Sequence, residues 1–253
     1  MMLENLFYNG VITMRTLLIF VIMFSIIATE TTFASTTKQR TVCIDAGHQL
    51  HGDPTKEANS PFTKIKKASV TSGATGRNSH VPEFKITLAI AKLVQSQLIK
   101  QNINVVMTRE THNVKISNKQ RATICNDAHA EAVIRIHADS STNQKMHGIR
   151  LLYPATSAIH NKQLAESSRK IAQYVLDRTI QATGATSLGV STRSDLTGFN
   201  WSNVPVALIE TGFLSNSDED QLLNDEAYQI LLASGIAEGI ETFLNPPKDV
   251  KAK

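Results

Sequence analysis

Apolar and polar positions along the chain follow two periods, and the switch between them predicts an alternation of strands and helices. Short β-branched runs with polar ends at residues 40–45, 104–108 and 132–137 predict strands, as do residues 148–153 and 204–210. Between them the period lengthens. Pro82 suits a first helical turn, and residues 83–100 continue as an apolar-rich helix. Ser117 with Gln120 makes a capping-box pattern that opens a helix through about residue 129. Residues 157–183 read as one long amphipathic helix, with Leu164, Ile171 and Val175 on a face and Gly184 as its stop. Residues 225–244 form a closing helix. This order predicts an α/β fold: a single domain with a mixed, mostly parallel sheet and helices on both faces.

The first 34 residues stand apart, because 22 of them are apolar. Arg15, the apolar run 17–28 and Thr32-Phe33-Ala34 have the basic start, core and small-residue cleavage site of an export signal. Initiation at Met14 gives that signal its usual form, and Met1 adds an extension. Twelve helical residues reach only about 18 Å, short of the roughly 30 Å bilayer core. No stable membrane span is therefore expected in the mature form. The expected organisation is an export signal at 1–34, a catalytic domain at 35–244 and a disordered tail at 245–253. The long connection at residues 49–80 is expected to wall a substrate groove and offer hydroxyls and backbone groups to it.

Composition narrows the classes further. With 42% hydrophobic and 19% charged residues, the chain is not disordered, collagenous or a coiled coil. Two cysteines exclude both a disulfide scaffold and a four-thiolate zinc site. Cys43 and Cys125, on the first strand and second helix, are expected as separate buried thiols. Without its leader the chain keeps 25 basic and 20 acidic residues, a balance that favours an anionic surface such as a cell wall. No nucleic-acid partner is expected, since no helix carries a basic stripe and a single Trp offers little to stack on bases. Lys64, Lys66 and Lys67 read as a solvated loop.

The chemistry gathers at strand ends, where α/β sheets place their sites. The first strand runs into Asp45-Ala46-Gly47-His48, the third into His137-Ala138-Asp139, and the last predicted strand ends at Glu210. Glu83 sits in a first helical turn, where the helix dipole favours an acid. His48, Glu83 and His137 make the two-imidazole, one-carboxylate set common for catalytic zinc, with Glu210 as general base toward a metal-activated water. Each has a plainer alternative. The histidines could be hydrogen-bonded structural groups, Glu83 a dipole partner, and Glu210 a buried carboxylate paired with Arg193. His51 is a rival ligand. Asp45 and Asp139 are either orienting groups behind the ligands or turn residues. Arg193, Asp195 and Asn200 are candidates for the groove wall.

Taken together, Val42-Cys43-Ile44-Asp45-Ala46-Gly47-His48, Pro82-Glu83, Ile136-His137-Ala138-Asp139 and the block from Ile209 to Asn216 resemble the zinc-dependent N-acetylmuramoyl-L-alanine amidases. The blocks also occur in that family's order, from about Thr41 to Leu244. The resemblance implies one zinc ion held by His48, Glu83 and His137, with Glu210 as the catalytic carboxylate. It implies cleavage of the amide between the lactyl group and L-alanine of peptidoglycan. This sequence departs from the family after His48, where Gln49-Leu50-His51-Gly52-Asp53 replaces a run of small residues. The expected protein is thus an exported hydrolase of the cell wall or periplasm, a monomer with peptidoglycan as its partner and any regulatory partner unidentified. The alternatives are an exported zinc peptidase and a catalytically silent wall-binding domain.

Overall fold

The computed structural model describes residues 39–247, so the expected export signal and the last six residues of the expected tail lie outside the described residues. The strands are β1 (Thr41–Ala46), β2 (Asp53–Ala58), β3 (Lys66–Val70), β4 (Asn104–Met107), β5 (Ala132–Asp139), β6 (Ile149–Pro154), β7 (Ser187–Arg193) and β8 (Val206–Phe213). The helices are α1 (Glu83–Lys100), α2 (Asn118–Asp127), α3 (Thr156–Ile159), α4 (Lys162–Thr183), α5 (Thr197–Asn200), α6 (Ser217–Leu223) and α7 (Glu226–Leu244). Six strands form one sheet in the order β4-β1-β5-β8-β6-β7, while β2 and β3 form a separate hairpin. Only the β6–β8 pairing in the large sheet is antiparallel. The sheet is therefore mixed and mostly parallel, as the sequence pattern predicts.

The period-2 alternation of each strand divides its residues between two unlike faces. Val42, Ile44 and Ala46 of β1, Ile134 and Ile136 of β5, and Ala207 and Ile209 of β8 are buried in one apolar cluster with residues of α1, α4 and α7. Each fully buried Ile there is worth about 1.5–3 kcal/mol relative to exposure. The opposite face carries Cys43, Val133, Leu152 and Leu208 in a smaller cluster with Cys125 of α2 and Phe199 of α5. Asp45, Arg135, His137 and Glu210 fall on this second face by the same alternation. Helices cover it only in part. The remainder lies open beneath the β2–β3 hairpin, and that opening becomes the groove described below.

Several expectations change in the fold. The segment read as one helix from residue 157 is broken: His160 is left-handed with φ 50°, and the Asn161 side chain caps α4 by accepting from Leu164 N at 3.0 Å. Apolar spacing continues across the break, so periodicity alone does not reveal it. The 49–80 connection contains the hairpin, so Lys66 and Lys67 are strand residues rather than parts of a solvated loop. Cys43 and Cys125 form a disulfide instead of the two separate thiols expected. Both lie between β1 and α2, which brings their Cα atoms to 5.5 Å, an ordinary disulfide span.

Candidate metal centre

β5 and β8 are parallel neighbours, and their register sets His137 directly opposite Glu210 on the same face. His48 follows the carboxyl end of β1, the other neighbour of β5. It adopts φ 58°, a left-handed conformation uncommon outside glycine, and arginine holds it there. Arg121 Nη2 donates to the His48 carbonyl at 2.8 Å and Nη1 to the Ala46 carbonyl at 2.8 Å. Arg109 donates to the Ala46 and Gly47 carbonyls at 2.9 Å each, and to the Phe84 carbonyl at 2.8 Å, which ties this turn to the start of α1.

Glu83 opens α1, and its Oε1 lies 3.1 Å from both His48 Nε2 and His137 Nδ1. His137 Nδ1 is itself 3.1 Å from His48 Nε2. These three side chains converge so that one atom from each lies within 4.8 Å of the others. His51 is exposed and stands outside this cluster.

The donor set fits a metal ion. His48 Nδ1 lies 2.8 Å from the Thr71 carbonyl, which can only accept, so Nδ1 carries the hydrogen and Nε2 offers a lone pair to the centre. Burial lowers the His137 pKa to about 4 despite the Glu83 hydrogen bond, so its ring is neutral near pH 7. Burial by itself would raise the Glu83 carboxyl, but hydrogen bonds with His137 and His48 hold it well below the usual carboxylate range. Two imidazoles and one carboxylate, aimed at a common point, match the protein ligands of a catalytic zinc site.

Gly73 completes the enclosure. At φ 81°, a Cβ there would stand 2.8 Å from Glu83 Oε2 and 2.9 Å from His48 Cδ2. The next residue, Ala74, donates its backbone N–H to Glu83 Oε2 at 2.8 Å. At Gly47 a Cβ would meet the His137 ring at 2.5 Å. Gly73, Arg109 and Arg121 are the main site residues missing from the sequence reading. A Gly-rich stretch at 71–76 and two arginines near polar helix starts carry no local signal of metal chemistry.

Glu210 lines two openings, one shared with His48, Glu83, His137 and Asp139, the other a cavity of about 510 Å³ over the second sheet face. Burial, and then the charges of Asp139 and Glu83, push its pKa well above the ordinary value, against the pull of Arg150 and Arg193. Asp139 is ion-paired with Arg150, whose backbone is directly opposite Glu210. Arg193 pairs with Asp195 at 2.7 Å rather than with Glu210, and both line the large cavity. Asn200 is buried and donates to the Ser194 carbonyl at 3.0 Å, so it supports that wall from behind instead of lining it. Asp45 is not beside the ligands. It is 1% exposed and accepts from Thr108 at 2.6 Å and from Arg121 and Arg135 at 2.7 Å each.

The N-acetylmuramoyl-L-alanine amidase family profile matches residues 42–242, from β1 into α7. The chain belongs to this family. Members of the family are zinc-dependent hydrolases of peptidoglycan. The chain is 29% identical over 211 residues to the probable N-acetylmuramoyl-L-alanine amidase AmiB of Haemophilus influenzae, covering 68% of this chain and 49% of that relative. It therefore spans about half that relative's length. A germination-specific N-acetylmuramoyl-L-alanine amidase of Bacillus subtilis is 28% identical over 180 residues, or 66% of this chain and 73% of the relative. The crystal structure of an N-acetylmuramoyl-L-alanine amidase from Clostridium difficile 630 superposes with a TM-score of 0.68 at 28% identity. It covers 83% of this chain and 99% of that one. The amidase fold thus extends over nearly all the described residues.

Proposed function

We propose that this chain is an exported zinc amidase, acting as a monomer on peptidoglycan at the lactyl–L-alanine amide. In this reading residues 1–34 are an export signal, 35–244 the catalytic domain and 245–253 a tail. The observation that carries it is the register of two neighbouring strands. That register puts Glu210 beside His137, with His48 and Glu83 closing the other side and one groove serving all four. His48 through Nε2, His137 through Nδ1 and Glu83 through Oε1 would hold the zinc. Bound zinc supplies Lewis acidity, which polarises an amide carbonyl and makes water nucleophilic near neutral pH. Glu210 accepts the proton of the attacking water on a carboxylate oxygen. It then delivers that proton to the alanine nitrogen as the amide C–N bond breaks.

Export to a cell wall or periplasm is supported by the Cys43–Cys125 disulfide, since such bonds persist in oxidising compartments. No described helix is long and apolar enough to cross a membrane. The test is a digest of purified walls read by mass spectrometry, with metal content measured in parallel. The expected products are free L-alanine amino termini and intact glycan, abolished by a chelator and restored by zinc. Glu210→Gln is expected to keep its zinc and lose about 10²–10⁴-fold in kcat. His137→Ala is expected to lose the metal as well. Cuts between amino acids, or a fully active Glu210→Gln enzyme, overturn the reading.

A further inference from the structure

The large cavity over the sheet has a charge pattern that amide hydrolysis does not require. It is walled on one side by the β2–β3 hairpin and meets the metal cluster through His48, His137 and Glu210. Five cations line it, Lys56, Lys66, Lys67, Arg135 and Arg193, against two carboxylates, Asp195 and Glu210. Most of these cations are already engaged. Lys67 and Arg193 share Asp195 at 2.9 and 2.7 Å, and Arg135 is held by Asp45 at 2.7 Å. Among the described ion pairs, none includes Lys56 or Lys66.

Hairpin register puts those two lysines together. Residues paired across an antiparallel ladder share a face, and the pairs here are Lys56↔Ala68 and Ala58↔Lys66. Lys56 and Lys66 are therefore diagonal neighbours on one face, with Ala68 beside them, and all three line the cavity. The hairpin is tied to the rest of the molecule in two places. Phe62 near its tip packs edge-on against His160 with centroids 4.7 Å apart, and Lys67 reaches Asp195. Both lysines are exposed, so their unpaired positive charge stands at the open side of a groove that ends at the metal cluster. In the amidase reading the chain whose amide is cut lies along this groove, which brings its own anionic groups within reach of the two lysines.

Resting on the amidase reading above, we propose that Lys56 and Lys66 recognise a free carboxylate on the stem peptide beyond L-alanine. The enzyme then prefers carboxylate-bearing stem peptides over the same peptides amidated at that group. These lysines are specificity residues. They bind substrate and take no part in the proton transfers.

The test uses the full zinc-loaded chain and two synthetic N-acetylmuramoyl peptides that differ only in carboxylate against carboxamide at that group. The native enzyme is expected to favour the carboxylate by about tenfold in kcat/KM, mostly through KM, and less so as salt rises. The double variant K56Q/K66Q is expected to bind zinc normally and to bring the two substrates within about twofold of each other. K170Q, on the exposed side of α4, removes charge far from the groove and is expected to keep the preference.

Equal turnover of both substrates by the native enzyme overturns the proposal and leaves the amidase reading standing. So does a uniform slowing of both by K56Q/K66Q. If that variant keeps its preference but fails only on walls carrying phosphate polymers, the lysines read the wall polymer and the proposal falls. Failure of the zinc-loaded native enzyme on either peptide overturns the amidase reading itself.

Discussion

Asp45 shows how one carboxylate serves the site without facing it. Burial would raise its pKa, but the charges of Arg121 and Arg135 and the Thr108 hydrogen bond hold it far below the ordinary range. Arg121, fixed by Asp45, then fixes His48 in its left-handed conformation. Removing the charge leaves two buried arginines uncompensated, and Asp45→Asn is expected to cost about 3–5 kcal/mol at pH 7. The sign of the pH dependence follows from linkage. A depressed folded pKa contributes stability that is present above the unfolded value of about 4 and is lost as pH falls toward the folded value. Urea unfolding at pH 7 and at successively lower pH is expected to show the gap between wild type and variant narrowing in acid. A gap that stays constant to acid pH would assign the loss to packing instead. The sequence names Asp45 as either an orienting or a turn residue. The structure makes it an anchor for arginines, a role set by side chains 63 to 90 positions away.

Among the elements, the hairpin is where local pattern says least. β2 reads Asp-Pro-Thr-Lys-Glu-Ala, with no apolar alternation, and is largely exposed. It is held by contacts from outside itself. Trp201 Nε1 donates to the Ala58 carbonyl at 2.9 Å, the Lys119 backbone N–H donates to Glu57 at 3.0 Å, and Thr197 Oγ1 donates to Asn59 Oδ1 at 3.1 Å. Residues of the 49–80 connection wall the cavity, but lysines of two strands join Thr71 where hydroxyls and backbone groups were expected. Deleting residues 54–68 removes most of that wall while sparing His48, Thr71 and Gly73. Zinc content is expected to remain near one per chain while cleavage of polymeric peptidoglycan falls by about tenfold or more. Equal loss of zinc and activity would make the hairpin a support of the metal site. The capped helices were more legible, because Ser117 with Gln120 and Asp225 cap α2 and α7 as their local sequence indicates. The α3–α4 break escaped because one left-handed residue leaves the apolar spacing intact.

For the molecule as a whole, the disulfide joins β1 to α2 across 82 residues of chain. Closing a loop of that length is worth about 4 kcal/mol through the unfolded state, within a usual range of 2–5. The double variant Cys43→Ala/Cys125→Ala is expected to unfold at correspondingly lower denaturant, with the zinc site intact once folded. An unchanged midpoint would mean that the bond adds little to stability. The alternation of five main-sheet strands with helices, and His48, Glu83, His137 and Glu210 as candidates, were readable in the chain, because side-chain period and chemical type are local properties; β2, β3 and β7, with little apolar alternation, were not. Local pattern also puts His137 and Glu210 at predicted strand ends, whereas β5 continues to Asp139 and β8 to Phe213. It does not imply that those strands are neighbours in the register that sets the two side by side. The disulfide, the arginine cradle under the His48 turn, the Gly73 contact and the lysine face of the hairpin were likewise decided only in three dimensions. Each depends on groups far apart in sequence meeting at a few ångströms, and only the packed sheet brings them there.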